Sequence, residues 1–156
     1  MKQTDVSISL KSVREIRGAS VVNRRAALRA AGKPVQVDMA VRVVPDIERS
    51  TVSLLVTASY IYAGPLRRER LMTCSALAAF EIENLMQHVE INGEDVVVAS
   101  RVMMTMLGIA VGALRGIIAV RTAGTTLANR PLPIIDLTAL MYRLHYGSAP
   151  EAVFRT

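Results

Sequence analysis

Apolar and polar residues alternate with a period of two through much of the first half of the chain. In VQVDMAVRV the odd positions from Val35 to Val43 are apolar, and in VSLLVTASYIY the even positions from Val52 to Tyr62 form the more apolar face. In LMTCSALAAFEI the even positions from Met72 to Ile82 form a third apolar stripe. Such alternation is typical of strands that bury one face, so the pattern predicts three long strands.

A shorter alternation from Val6 to Leu10 predicts an earlier strand. The links after Pro34 are short and contain turn residues, as in GPLRRER, which favours an antiparallel meander of four strands. The segment VVNRRAALRAAGK, from Val21 to Lys33, is either a short helix ended by Gly32 or a basic loop, and the sequence leaves both open.

A long apolar segment follows the strands and predicts a helix that covers them. The turn Asn92-Gly93 precedes Glu94 and Asp95, and acidic residues are favourable at a helix N-terminus. From Val96 to about residue 121 the chain contains no proline and is almost wholly apolar. A helix that is hydrophobic nearly all round is buried on most sides.

Three glycines four residues apart mark one face of this helix as a close packing surface. The uncharged run between Arg101 and Arg115 is thirteen residues long, whereas a membrane-spanning helix needs about 20 apolar residues. We therefore predict a helix packed against protein, with no membrane insertion. Its face away from the sheet then needs a second copy of the chain. The candidate interface positions are Met104, Gly108, Gly112 and Gly116.

The end of the chain predicts an extended segment and a short helix. Pro131 and Pro133 favour extended backbone, and Asp136 is placed to cap a helix over Leu137–Tyr146 that ends at Gly147. The predicted fold class is α+β: a four-stranded antiparallel meander, a long apolar helix, a proline-containing crossover and a short C-terminal helix.

Composition places this fold in a single domain of residues 1–156. The chain is 51% hydrophobic and 21% charged, which argues against disorder. Its net charge of +6 indicates an acidic partner or surface. The one cysteine, Cys74, excludes an internal disulfide and fits a reducing compartment. Since the N-terminus MKQTDVSISL lacks an apolar signal region, we expect a cytoplasmic protein.

Residues that carry chemistry are few and scattered. Cys74 lies on an apolar stripe, which predicts an inert core thiol. His88 and His145 are far apart, and one cysteine cannot build a cysteine-rich zinc site. The string GTTLAN does not follow a phosphate-loop pattern. We predict no enzyme activity, no cofactor and no metal site.

The order of parts resembles the SecB family of export chaperones from Val6 to Leu144. The strand that contains VTAS (Val56 to Ser59) is similar to the family's second or third strand, and Cys74 lies in the strand after it, where a cysteine is common. LPIIDLTALM, from Leu132 to Met141, resembles the family's passage from crossover to last helix.

The resemblance implies a homotetramer, a dimer of dimers whose long helices lie between two sheets. It also implies an ATP-independent holdase that binds unfolded polypeptides, for export or for a dedicated client such as an antitoxin in a toxin–antitoxin system. Each candidate groove residue has a second interpretation as an ordinary core residue. The candidate groove residues are Tyr60, Tyr62, Leu132, Ile134, Ile135, Leu137, Leu140, Met141 and Leu144.

Two departures from the family concern charge. Classical members are acidic and dock the translocase motor SecA through acidic residues, one of which follows the strand cysteine. Here Ser75 and Ala76 follow Cys74 and the chain carries +6, so we do not expect SecA as a partner.

The alternative function is a basic oligomeric module that binds nucleic acid or an acidic partner without chaperone activity. No aromatic residues interleave with the basic ones to stack bases, which argues against nucleic acid. A purely structural oligomer is a third interpretation. The candidate basic patch consists of Arg24, Arg25, Arg29, Lys33, Arg67, Arg68 and Arg70.

Overall fold

The computed structural model describes residues 6–16, 22–93 and 95–146. These ranges contain two sheets, three α-helices and two 3₁₀-helices, Leu85–His88 and Thr126–Asn129. The strands are β1 (Ile8–Glu15), β2 (Gln36–Asp46), β3 (Thr51–Ala63), β4 (Arg68–Ile82), β5 (Val89–Asn92), β6 (Asp95–Val98) and β7 (Leu144–Tyr146). The helices are α1 (Arg24–Arg29), α2 (Ser100–Thr122) and α3 (Leu137–Met141).

The main sheet has the strand order β1-β4-β3-β2-β7. Strands β2, β3 and β4 form the predicted meander, but β1 pairs with the far side of β4. The predicted meander of four consecutive strands is therefore wrong at its first connection. The reason is that β1 and β2 lie on opposite sides of the β3–β4 pair, and the segment containing α1 connects them. The α+β class itself is confirmed by the sheet and its helices.

One face of the sheet forms the core together with α2. The even positions of β3 from Val52 to Tyr62 and those of β4 from Met72 to Ile82 are buried, as the alternation predicts. In β2, Val41 and Val43 are buried, whereas the earlier apolar positions are half-buried. The side chains of α2 that pack here are Val102, Met103, Met106, Leu107, Ala110, Val111, Leu114 and Ile118.

The segment before α2 is a hairpin and does not begin the helix. Strands β5 and β6 pair around Asn92 and Gly93, and Gly93 has a φ of +67°. The predicted helix start at Val96 is wrong, because Asn-Gly followed by β-branched residues is a strong hairpin signal. Helix α2 begins at Ser100. Glu94 lies outside the described residues.

The segment before β2 contains a helix, which decides between the two alternatives left open. Asn23 caps α1, and its side-chain oxygen accepts a hydrogen bond from the Ala26 N–H at 3.1 Å. Gly32, with a φ of +72°, follows the helix where the sequence predicts its end. Val21 lies outside the described residues.

The predicted cap of the last helix is confirmed, but the helix is shorter than expected. The Asp136 carboxylate accepts hydrogen bonds from the N–H groups of Thr138 and Ala139 at 3.0 and 3.2 Å. Helix α3 ends at Met141, and β7 pairs in parallel with β2 from Val41 to Val43. Pairing at an open sheet edge replaces the last helical turn. Gly147 lies outside the described residues.

Helix α2 is long and apolar enough to cross a membrane, and an 18-residue stretch of it has a mean hydropathy of 1.9. About 44% of that stretch is buried against the rest of the chain. Packing against a sheet is typical of the core helix of a soluble protein. The absence of membrane insertion stays a prediction.

Candidate functional site

The crossover, residues 130–136, forms neither helix nor strand and is bonded to α2. Arg115 of α2 binds the backbone of the crossover. Its guanidinium donates hydrogen bonds to the carbonyl oxygens of Leu132 at 3.3 Å and Pro133 at 3.0 Å. The two prolines of the crossover have no N–H and cannot pair as a regular strand. Arg115 thus supplies bonds that a neighbouring strand would otherwise provide.

The start of the crossover is fixed at Arg130 from two directions. The Tyr60 hydroxyl donates to the Arg130 carbonyl oxygen at 3.0 Å. The Arg130 guanidinium donates to the carbonyl oxygen of Ala30 at 3.3 Å and also to that of Lys33. Burial raises the pKa of Tyr60, with Cys74 adding to the shift and the positive charge of Arg115 opposing it. The phenol is therefore a neutral donor that ties the sheet to the crossover.

The structure divides the candidate groove residues by exposure. Ile134 is 98% exposed. The buried candidates are Tyr60, Tyr62, Leu132 and Leu140. The half-buried candidates are Ile135, Leu137, Met141 and Leu144. In the single chain, Ile134 and the exposed parts of the four half-buried side chains form the solvent-accessible surface of the candidate groove. The role of this surface in binding stays a prediction.

The predicted interface glycines lie together on the side of α2 that faces away from the sheet. We call this surface the open face of α2; it consists of Gly108, Ile109, Gly112, Gly116 and Val120, all exposed. A Cβ atom added at Gly112 or Gly116 would meet nothing within 4 Å, and one at Gly108 would lie 3.6 Å from the Leu137 side chain. The fourth candidate, Met104, is half-buried.

The open face of α2 continues into a cleft beside the edge strand β1. A cavity of about 400 Å³ lies there, bounded by Glu15 of β1 and by α2. Leu10 and Val13 are 47% and 38% exposed on the side of β1 that faces α2. At the rim, the Arg121 guanidinium donates to the two oxygens of Glu15 at 2.7 and 2.5 Å. The cleft and the open face form one apolar surface with an ion pair at its border.

The predicted basic patch divides between the two faces of the sheet. Glu69 and Tyr62 are paired residues on the α1 side, whereas Arg68 and Arg70 follow the alternation of β4 onto the opposite side. Arg68 donates to the Gln36 side chain at 3.4 Å. These two arginines therefore do not join the residues of α1.

The other five residues of the predicted patch lie at one end of the sheet, and Arg130, which was not predicted, joins them there. We call this surface the basic corner: Arg24, Arg25, Arg29, Lys33, Arg67 and Arg130. Glu69 links Arg29 of α1 to Arg67 of the loop between β3 and β4. Arg29 lies 2.9 Å from one Glu69 oxygen and Arg67 lies 3.3 Å from the other. These contacts hold the pKa of Glu69 below its ordinary value, and the hydrogen bond from Arg29 is the largest cause.

The cysteine and the two histidines lie on separate elements of the fold. Cys74 is fully buried, which confirms the predicted core thiol. His88 precedes β5 and His145 lies in β7, on separate elements. Within residues 6–16, 22–93 and 95–146, no group of three potential ligands is arranged to hold a metal ion.

Sequence reasoning missed the two arginines that fix the crossover. Arg115 is the one charge within an apolar helix segment, and such a residue commonly binds backbone or a partner, so a signal was present. Arg130 and Glu15 gave no signal, because their partners lie far away in the sequence.

Comparison with solved structures gives a likeness in fold. No family model and no curated protein matches the chain. The chain is similar to the solved structure of a Mycobacterium tuberculosis SecB-like chaperone in complex with a ChAD peptide from the HigA1 antitoxin, with 15% sequence identity and a TM-score of 0.48. The match covers 83% of this chain and 89% of that chain.

Proposed function

We propose that this protein is an ATP-independent holdase that binds unfolded polypeptide on apolar surface at the crossover and α3. The observation that carries the proposal is Ile134, an isoleucine 98% exposed on a segment held in place by its own backbone carbonyls. A single exposed apolar residue is ordinary. One presented by a proline-containing segment that Arg115 bonds to α2 is suited to contact another chain.

The side chains next to Ile134 support adaptable binding. Ile135, Leu137 and Met141 are half-buried and pack against the core with part of their surface outward. Flexible Leu and Met side chains can repack around different sequences, which is how promiscuous binding is achieved. The resemblance of LPIIDLTALM to the SecB crossover passage points to the same surface. Export substrates and a dedicated antitoxin client are both within this proposal.

The proposed holdase is an oligomer in which a second copy of the chain covers the open face of α2. The open face of α2 and the cleft beside β1 are apolar, adjacent and uncovered in the single chain. The absence of side chains at Gly112 and Gly116 would let another helix approach closely. We assign this surface to the interface between copies, in the dimer of dimers that the SecB resemblance implies.

The test is suppression of aggregation of a refolding protein without nucleotide, comparing the wild type with Ile134→Ser. We expect at least a twofold loss of protection, because the exposed side chain contributes binding area but little stability. The matched control is Met86→Ser, which removes an apolar side chain 56% exposed outside the crossover and α3. Equal protection by the wild type and Ile134→Ser would contradict the assignment to the crossover.

A double variant tests the half-buried part of the surface. Ile135→Ser with Met141→Ser should weaken client holding while the mass measured by light scattering stays unchanged, because neither residue lies on the open face of α2. Full holding by this variant would show that clients bind elsewhere.

A further inference from the structure

We propose that the basic corner binds acidic residues of the client, so that the preferred client segment combines an apolar stretch for the crossover with an acidic stretch next to it. The inference rests on the proposed holdase function and names its client class. Its basis is the charge, the position and the exposed apolar surface of the corner.

The basic corner has more positive charge than its own acid can neutralise. Glu69 already uses one oxygen for Arg29 and the other for Arg67. Among the described residues, Arg24 and Arg25 are exposed and have no ion-pair partner. The Arg130 guanidinium donates to neutral carbonyl oxygens, and these bonds do not neutralise its positive charge. The surface is therefore complementary to carboxylates.

The corner is continuous with the crossover. Arg130 is the first residue of the crossover, and its guanidinium bonds the backbone just after α1 at Ala30 and Lys33. Arg130 therefore links the end of α1 to the segment that presents Ile134, four residues further along the chain. One client segment can contact both regions.

The corner also offers apolar contact, which a polypeptide can use. Leu28 is 65% exposed between the arginines of α1. It lines a cavity of about 130 Å³ together with Arg24 and Thr126. A segment that mixes carboxylates with apolar side chains satisfies both features.

The same features disfavour nucleic acid. Single-stranded nucleic acid is bound by aromatic side chains on which bases stack. Tyr62, the aromatic residue at the corner within the described ranges, is only 7% exposed, and the Lys33 ammonium lies 5.5 Å from its ring centroid. The corner offers cations and a leucine but no accessible ring, so an acidic polypeptide is the better fit.

The experiment measures dissociation constants for two fluorescent peptides at low salt. The peptides share the same Leu and Phe positions, and the remaining positions are all Glu in one and all Lys in the other. We expect the Glu peptide to bind about tenfold more tightly than its twin, as several exposed charge pairs together allow. Arg24→Glu combined with Arg25→Glu should weaken the Glu peptide about tenfold.

The control variant is Arg49→Glu, which makes the same kind of charge change at the β2–β3 turn, at the other end of the sheet. Its side chain is 82% exposed, and we expect less than about a twofold change in binding of the Glu peptide. The double variant should keep its thermal stability, since acids in the first turn after Asn23 favour α1.

The outcomes separate the two proposals. Equal binding of both peptides, unchanged in the double variant, overturns the acidic preference and leaves the holdase function standing. Failure of both peptides to bind overturns the holdase function itself. If labelled oligothymidylate binds more tightly than the Glu peptide and loses affinity in the double variant, the corner is a nucleic-acid surface and the inference is wrong.

Discussion

Helix α2 has two faces that are both apolar and yet differ completely in burial. The face on the sheet consists of large side chains such as Leu107, Leu114 and Ile118, each with no exposed surface. The open face has glycine at three of its five positions, and its two side chains, Ile109 and Val120, are 40% and 73% exposed. A hydrophobic pattern alone cannot distinguish these faces. The comparison teaches that side-chain size indicates which surface the chain covers and which it leaves for a second copy.

Breaking the closed face should have the largest effect on stability. Leu114→Ala leaves a cavity between α2 and the sheet, and such changes cost about 2–5 kcal/mol. Denaturant unfolding measures the loss. The matched control is Val120→Ala on the open face, which should cost less than about 0.5 kcal/mol in dilute protein. Similar losses for both variants would contradict the difference between the faces.

Filling the open face should leave the fold intact and break the assembly. Gly112→Leu meets nothing within 4 Å at its Cβ in the single chain, and leucine is the better helix former by nearly 1 kcal/mol. We expect folded protein of smaller mass in light scattering.

Gly112→Ala is the control for this change, because it adds helix propensity with a single methyl group. It should keep most of the oligomer. An unchanged mass for Gly112→Leu would remove the packing argument for the glycines.

Loosening the crossover tests the connection between the sheet and the proposed client surface. Tyr60→Phe removes the hydrogen bond to the Arg130 carbonyl and should cost about 0.5–1.5 kcal/mol. Amide exchange at Leu132 and Ile134 should become faster. Unchanged exchange there would show that the hydroxyl does not fix the crossover.

The same variant has a distinct pH dependence. Because burial raises the pKa of Tyr60, the folded state holds the phenolic proton more tightly than the unfolded chain does. The stability that the protonated Tyr60 contributes is fully present below the ordinary tyrosine pKa of about 10. It is lost as the pH rises through the higher pKa of Tyr60 in the folded state. Tyr60→Phe should therefore lose less stability than the wild type between neutral and strongly alkaline pH. Parallel alkaline curves would contradict the assignment.

The smallest expected effect concerns the ion pair at the border of the open face. Glu15→Gln removes the charge that faces Arg121 and, because the pair is accessible in the single chain, should lower the Tm only slightly in dilute protein. If a second copy covers the cleft, the loss should grow with protein concentration. A concentration-independent effect would argue that the cleft stays open. Lys11→Gln, which removes an exposed pair with Glu81, is the control.

Local patterns predicted the elements that depend on one face of one segment. Alternation located β1 to β4, Asp136 located the start of α3, and glycine spacing located the open face. They failed where distant residues decide: the position of β1 beside β4 and the pairing of β7 with β2 are set by tertiary contacts. The hairpin of β5 and β6 is a different case, because its Asn92-Gly93 turn is a local signal that the prediction of a helix start overlooked.

The candidate site was predictable in part for the same reason. Proline and apolar residues located the crossover, but Ile134 and Leu132 have similar side chains and opposite exposures, 98% and 3%. Which of them points outward depends on bonds from Arg115 and on packing against α2. Those contacts cannot be read from spacing along the chain.

The measurement that tests the central claim most directly is protection of a refolding protein from aggregation, without nucleotide, at low and at high salt. Binding on apolar surface persists when salt screens exposed charges. The account predicts protection at both salt concentrations, with only the preference for acidic clients weakened at high salt. Protection that is absent, or that disappears entirely at high salt, would contradict the holdase function.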